Sequence, residues 1–502
     1  MKLHYSLSLI TISSITGTLS AEKPKPNVIF ILADDLGWAD VGYNGSTFYE
    51  TPNIDRLAGE GMQFSNGYAA ASISSPTRVS IMTGKYPARS KITDWIPGYQ
   101  YGLSKERLSK YKMLSPEFPL NMPLEEVTIA ETFKENGYKT CFIGKWHCAE
   151  DSLYYPQHQG FDQNFGGWLK GSPNGDKNKG RSYFSPYNNP QLADGDNDEF
   201  LTDRLTNEAI KWVHNAAGKP FFLYLSFYAV HTPIQPKPEK ASYYKQKAKR
   251  LGLDSLKTFS TDFEWYNKHP KPEWHWKERL VQNDPEYAAL LESLDENVGR
   301  LLQELKQTGL DKNTIIVFMS DNGGLSTAEG SPTTNYPLRA GKGWLYEGGI
   351  REPYIIKAPG ITQAGSVCET PVTSTDFYPT LLELAGIPLK NEQHADGISL
   401  VPALKGKKLN RKSIYWHYPH YGGKGDAPAA AIRQGDWKLI EFSESGKVEL
   451  YNLRNDISEQ NDLSSENKIL SRKMLKELHK WQSSVNAQMP VMNPDYKFND
   501  KK

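Results

Sequence analysis

Polar residues with chemical potential sit where apolar runs stop: Asp34-Asp35, Lys145 with His147, His231, and Asp321-Asn322. Two paired acids and an acid–amide pair make an all-oxygen set of hard donors, suited to calcium or magnesium and not to zinc. The segment SISSPTRVSIMTG, from Ser72 to Gly84, adds a hydroxyl and an arginine. Ser75-Pro76 reads as a helix start, with the serine capping, the proline first in the helix and Gly84 as the stop. Ser74 is then expected just outside a helix N-terminus, where unpaired N–H groups and the positive dipole end favour negative charge. Arg78, one turn in, can lean back toward that point. With Lys145, Lys342, His147 and His231 as further cations and proton carriers, the set describes a site for a tetrahedral oxyanion ester, either sulfate or phosphate. Each segment alone also reads as a strand-ending turn or an ordinary capped helix. Their co-occurrence argues for a site.

The elements that must position these residues alternate. Asn27–Leu32, NVIFIL, is a continuous apolar run of the kind found in buried parallel strands. Thr128 and Glu131 form a capping box opening a helix that stops at Gly137, and strand Thr140–Ile143 follows. A helical stretch from about Thr202 precedes strand Phe221–Val230. Asp284-Pro285 opens a helix with Tyr287, Leu291, Leu294, Val298, Leu301 and Leu305 on one face; Gly309 ends it before strand Thr314–Met319. The alternation predicts an α/β fold, a large mostly parallel sheet flanked by helices, with ligands beyond the carboxyl ends of its strands.

After Pro388 the pattern changes. Ser413–Tyr418, Ala431–Phe442 and Val448–Leu453 alternate as antiparallel strands, and a helix from about Glu466 puts Leu470, Met474, Leu478, Trp481 and Val485 on one side. The chain is thus expected to divide into a catalytic domain, 22–408, and a smaller C-terminal antiparallel-sheet plus helix subdomain, 409–502. An insertion between Pro236 and Pro285, including Trp265, Trp274 and Trp276, reads as a surface hairpin whose aromatics could stack on sugars.

Among 502 residues, 38% hydrophobic with 12% aromatic describes a folded chain, and a net charge of +1 gives no global pull toward nucleic acid or a membrane surface. Lys2, the run Leu3–Ile15 and the small residues ending at Ala21 read as a signal peptide, 1–21, too short and serine-rich for a lasting membrane anchor. Export to a bacterial periplasm, or secretion, is expected, and calcium is then the expected metal. No cysteine precedes Cys141, which argues against a lipoprotein anchor, and the odd count of three leaves at least one cysteine free.

Ser74-Ser75-Pro76-Thr77-Arg78 with Thr83-Gly84-Lys85 resembles the (Cys/Ser)-x-Pro-x-Arg signature of formylglycine-dependent type I sulfatases, within the alkaline phosphatase superfamily. NVIFILADDLGWADVGYNG, TPNIDRLAGEGMQFSNGYAA, GYKTCFIGKWH, FFLYLSFYAVHTP, SDNGG and GKGWLYEGGIREP resemble the family's landmarks in its order. The resemblance implies an alkaline phosphatase-like fold and oxidation of Ser74 to formylglycine (3-oxoalanine) by a serine-type maturase before export. It implies calcium held by Asp34, Asp35, Asp321, Asn322 and the modified Ser74. Arg78, Lys145 and His147 match positions that hold the formylglycine diol, and His231 and Lys342 those at the sulfate and leaving oxygen. A diol hydroxyl attacks sulfur and the second hydroxyl expels sulfate by elimination, with His231 as general acid and His147 as base. Cys148 stands where the family usually has leucine, a change of packing.

For substrate, Asp94-Trp95 and HYPHYGG, containing His417, Tyr418, His420 and Tyr421, read either as a pocket rim suited to a sulfated sugar or as packing between subdomains. The resemblance is to bacterial carbohydrate sulfatases acting on ulvan, carrageenan, glycosaminoglycans or mucins. Two other readings stay open. One is a phosphodiesterase or phosphonate monoester hydrolase of the same superfamily, which would need more histidine and aspartate ligands for two metals. The other is an inactive glycan-binding protein in which Ser74 is never oxidised.

Overall fold

The computed structural model describes Met1 and residues 24–175, 181–216, 218–264 and 277–497. The 2–21 part of the segment read as a signal peptide, and Trp265, Trp274 and Trp276, lie outside the described residues.

The core is an eight-stranded sheet. Its strands are β1 (Asn27–Ala33), β2 (Met62–Phe64), β3 (Lys139–Gly144), β4 (Gln163–Phe165), β5 (Phe221–Ser226), β6 (Thr314–Ser320), β7 (Tyr354–Lys357) and β8 (Ser366–Cys368), in the order β8-β2-β7-β6-β1-β5-β3-β4. β6, β1, β5, β3 and β4 are mutually parallel, and β7 pairs antiparallel with both β6 and β2. Because strand side chains alternate between faces, β1 serves two cores. Ile29, Ile31 and Ala33 pack with α4 (Leu201–Ala216) and α5 (Pro285–Gln307) on one side, after α1 (Pro52–Glu60) has joined the same cluster. Val28, Phe30 and Leu32 face α2 (Ser74–Thr83) and α3 (Ile129–Glu135) on the other. Burial on both faces is why these strands read as unbroken apolar runs.

The capping box at Thr128 forms, with Thr128 Oγ1 accepting from Glu131 N and Glu131 returning the bond. Asp284 caps α5 through Glu286 N and Tyr287 N. Two expectations shift. The strand ladder stops at Ser226, not Val230; residues 227–230 peel off across the end of β1, where Phe227 N bonds Leu32 O and Val230 N bonds Asp34 O. The second helix starts at Ser74, one residue before the expected cap. Ser75 Oγ accepts from Ile96 N instead of capping, and the proline sits within the first turn, where its missing N–H costs nothing.

The C-terminal sheet is β9 (Ile414–Tyr418), β10 (Ala429–Gln434), β11 (Trp437–Phe442) and β12 (Lys447–Asn452), all antiparallel, covered by α7 (Lys468–Ser484). The expected single strand Ala431–Phe442 is a hairpin: Gln434 pairs with Trp437 across a two-residue turn with Gly435 at φ +58°. Met474, Leu478 and Trp481 of α7 close this third core, with Trp481 stacked on Tyr415. The short helix α6 (Glu347–Ile350) carries Glu347, which joins Lys438 of β11 in a buried ion pair and so ties the two sheets together. Cys141, Cys148 and Cys368 are all free. Among the described residues, no helix is long and apolar enough to cross a membrane.

Candidate active site

Parallel neighbours end side by side, so the residues after β1, β6, β3 and β5 meet at one edge of the sheet. Asp34 and Asp35 follow β1, Asp321 and Asn322 follow β6, Lys145 follows β3, and His231 follows the segment leaving β5. Gly144 makes the β3–β5 approach possible: at φ +101°, a Cβ there would lie 1.9 Å from Ser226 O. The N-terminus of α2 points Ser74 into the same cluster.

Ser74 Oγ is 3.5 Å from Asp34 Oδ1, 3.3 Å from Asn322 Oδ1 and 3.2 Å from Lys145 Nζ. Lys145 Nζ also donates to both Asp34 oxygens, at 2.8 and 2.7 Å. Arg78 does not lean on Ser74 itself. Its Nε donates to Asp321 Oδ2 at 2.9 Å, Nη2 lies 2.8 Å from the same oxygen in an ion pair, and Nη1 donates to Lys145 O and Ser226 Oγ. Lys342 Nζ donates to Asp35 Oδ2 at 2.8 Å and to His231 Nε2 at 3.3 Å. Asn322 Nδ2 donates to Asp35 Oδ1, which leaves the amide oxygen turned toward Ser74. Three carboxylates thus face three cations in an almost fully buried cluster at the base of a cleft.

Carboxylate oxygens of Asp34 and Asp35 and a ring nitrogen of His231 lie within 4.8 Å of one another, close enough to hold one metal ion. Asp321 and the Asn322 amide oxygen lie beside this group, Asp321 Oδ1 accepting from Asp35 N and Asn322 Oδ1 facing Ser74, so that oxygen donors of the kind a hard cation takes predominate here. Burial pushes the Asp34 carboxyl up, to about 8, against the pull of Lys145.

Burial and neighbouring positive charge hold both histidines neutral, with opposite ring nitrogens protonated. His147 Nε2 lies 3.0 Å from Ile96 O, an acceptor only, so the ring is protonated there and Nδ1 keeps its lone pair; that buried nitrogen has no partner. Burial, then the charges of Lys145 and Arg78, hold its pKa well below the usual value. His231 Nδ1 donates to Thr232 O at 2.6 Å, turning Nε2 toward Lys342. Burial, then Lys342, lowers it to about 4.

A cleft of about 540 Å³ opens over Ser74, with His147, His231 and Lys342 at its base. Of the four residues expected at its rim, the structure brings Trp95 alone to the wall. Asp94 is buried and shapes that wall from behind, accepting from Trp95 N, Tyr99 N and Tyr418 Oη. His420 bonds Thr93 Oγ1, and with Asp94 it lines a separate cavity of about 520 Å³ behind Pro97. His417 lies between β9 and α7, bonded to Gln488 O and Gln482 Nε2. For these three the packing alternative describes their surroundings. His417, on β9, turns toward α7, while Asp94 and His420 are held by bonds to Tyr418 and Thr93.

Sequence reasoning missed the walls Tyr99, Glu150, Lys170, Glu329 and Lys424, whereas Gly422 and Gly423, at the end of the HYPHYGG run, do reach the cleft. Lys424 directly follows the HYPHYGG run, whose two glycines, Gly422 and Gly423, were the available signal for a close approach. Glu329 carried a weaker signal, the turn-forming Glu329-Gly330.

The Sulfatase family model matches residues 26–387, and the model described as N-sulphoglucosamine sulphohydrolase, C-terminal, matches 340–486. A sulfatase of Formosa agariphila is 33% identical, the match covering 96% of this chain and 93% of that one. Mouse N-acetylgalactosamine-6-sulfatase is 30% identical over 81% of this chain and 72% of its own length. Among solved structures, Ps i-CgsB in complex with k-i-k-neocarrahexaose is 32% identical, covers 95% of each chain and superposes with a TM-score of 0.72. The phosphonate monoester hydrolase of Agrobacterium radiobacter, 20% identical with a TM-score of 0.64, shares the fold. A family match across most of the chain, with relatives aligned along nearly its full length, means that the chain belongs to the sulfatase family and is a sulfuric ester hydrolase.

Proposed function

We propose that the chain removes sulfate from a sulfated saccharide, using Ser74 oxidised to formylglycine and one calcium ion, in the periplasm or outside the cell after export. The observation that carries this reading is the position of Ser74 Oγ, within 3.5 Å of Asp34, Asn322 and Lys145 at the floor of the cleft. A serine hydroxyl is a poor nucleophile toward sulfur, and the aldehyde hydrate supplies a second hydroxyl through which sulfate can leave. Conversion of Ser74 requires a serine-type maturase acting before the chain folds, because Ser74 is 2% exposed in the folded state.

Bound calcium would supply two positive charges at the oxyanion, held by Asp34, Asp35, Asp321 and Asn322. The chain's own residues do the rest. A bound ion would favour the ionised form of Asp34, and with Asp34, Asp35 and Asp321 set against Lys145, Arg78 and Lys342 its added charge would leave the centre positive, matched to an anionic ester and a developing alkoxide. Lys145 and Arg78 hold the nucleophile side. His147 Nδ1, neutral and unpartnered, can take the proton of the hydroxyl that stays behind. The proton between Lys342 Nζ and His231 Nε2 serves the leaving oxygen. The saccharide assignment is supported by the carbohydrate named in the Ps i-CgsB complex and by the aromatic walls Trp95 and Tyr99.

Mass spectrometry of the Ser74 peptide from native expression tests the modification: a loss of about two mass units is expected, for two hydrogens. Its absence, with saccharide binding retained, would instead favour a glycan-binding protein. Ser74→Ala should abolish sulfate release with the thermal midpoint retained, and turnover by that variant refutes the nucleophile.

A further inference from the structure

Glu329 has no part in the chemistry above, yet its backbone is held in an unfavourable state beside the cleft. Glu329, Gly330 and Ser331 adopt φ +51°, +90° and +49° in succession. Two side-chain-bearing residues in the left-handed region of one turn are uncommon, and such outliers concentrate where function needs a particular direction. The turn is pinned from outside: Arg279 N bonds Ser326 O, Arg279 Nε bonds Ser331 O, and Ser331 N bonds Ala328 O. The result is a carboxylate delivered into the cleft wall. Its side chain is 35% exposed and faces Lys424, which is almost wholly buried.

The charge is well defined. Glu329 Oε1 is 3.7 Å from Lys424 Nζ, and Oε2 accepts from Thr232 Oγ1 at 2.9 Å. Burial raises the Glu329 carboxyl, but Lys424, then Lys342, outweigh it and keep the group ionised. Lys424 is fixed in turn by donating to Gly422 O. Thr232 follows His231, so the carboxylate stands on the leaving-oxygen side of the site, one residue from the histidine that faces the ester. An ionised carboxylate there can accept from a hydroxyl hydrogen, and it repels a second anion.

We propose that Glu329, with Lys424 beside it, is a specificity-determining pair that accepts a free hydroxyl on the carbon next to the sulfated one, so that the enzyme favours sugar units with an unsubstituted neighbouring hydroxyl over units carrying a second sulfate there. This rests on the saccharide reading above. Thr232 and Lys424 leave the outer lone pairs of the carboxylate available, and the 540 Å³ cleft admits a sugar ring beside it. A hydrogen bond to a charged group separates the two substrates by roughly 10- to 100-fold in kcat/KM.

The test uses methyl galactosides and methyl N-acetylgalactosaminides bearing one sulfate at each hydroxyl in turn, each beside its counterpart with a second sulfate on the neighbouring carbon. Sulfate release is measured for the wild type and for Glu329→Gln, a loop substitution whose folding is checked by thermal midpoint. The wild type should prefer the singly sulfated member of its best pair by roughly 10-fold or more, and Glu329→Gln should reduce that ratio to roughly 3-fold or less. A ratio unchanged in the variant, even with both rates lowered, overturns the inference, because a carboxylate acting only through Thr232 and His231 would slow both members alike. Equal wild-type rates within every pair also overturn it while leaving the saccharide reading intact. No release from any member overturns the saccharide reading and this inference together.

Discussion

Replacing Lys438 by methionine probes the join between the two sheets. Lys438 Nζ is 3.0 Å from Glu347 Oε1 and 2.9 Å from Glu459 Oε1, with all three side chains fully buried. Glu459 Oε2 also accepts from Glu347 N at 2.6 Å, which holds the start of α6. Methionine keeps most of the volume and removes the charge, so two buried carboxyls confront each other. Breaking a buried pair from one side costs about 3–5 kcal/mol. Glu347 retains Tyr68 Oη at 2.7 Å and Arg351 at 3.4 Å, which argues for the lower end, about 3 kcal/mol.

The pH dependence has a definite sign. Burial, against the pull of Lys438, pushes the Glu459 carboxyl up to about 7 from an unfolded value near 4.5. Between those values the folded state binds the extra proton, so this group's contribution to stability falls as pH rises. Without Lys438 the folded value rises further, and the window of loss extends to higher pH. The deficit of the variant should therefore be largest near pH 8.5 and shrink on acidification by up to about 1.4 kcal/mol per pH unit for one proton. Urea unfolding of both proteins at pH 6 and pH 8.5 measures it. A variant within about 1 kcal/mol of wild type at pH 8.5 would refute the reasoning, as would a deficit equal at both pH values. Activity should fall as well, because Gly348 N bonds Arg339 O and Gly343 N bonds Ser72 O, so α6 and the Lys342 loop move as one piece.

Chelation reads the metal directly: EGTA should lower the thermal midpoint and stop sulfate release, and added calcium at 100 times its Kd should restore about 2.7 kcal/mol of stability. A midpoint indifferent to EGTA and calcium would remove the ion from the centre. His417→Ala should cost about 1–3 kcal/mol through the loss of its bonds to Gln488 and Gln482, with the KM for saccharide unchanged. A raised KM at unchanged stability would return His417 to the substrate rim.

Much of the centre was legible in one dimension because parallel strands end together. Once NVIFIL, TCFIG and TIIVFM are read as neighbours in one sheet, Asp34, Lys145 and Asp321 must share an edge, whatever the loops do. The landmarks around them carried the family. The Phe221–Val230 strand and the Ala431–Phe442 run were read too long, since apolar and alternating patterns continue through a peel-off and a two-residue turn without marking either. Ser75 looked like a cap because local chemistry favours it there, and Ile96 N, 21 residues away, took its hydroxyl instead.

The cleft walls were beyond such reading. Asp94, His417 and His420 have the residue types of a sugar site, but which way a strand or turn faces depends on the subdomain packed against it, and that contact joins residues more than 300 positions apart. The sequence alone determined which polar residues end the strands and that a hydroxyl stands at a helix start, because each follows from local periodicity and side-chain chemistry. The tertiary structure alone decided that Glu329 and Lys424 face the cleft and His417 does not, because long-range packing sets side-chain direction and no local pattern encodes it.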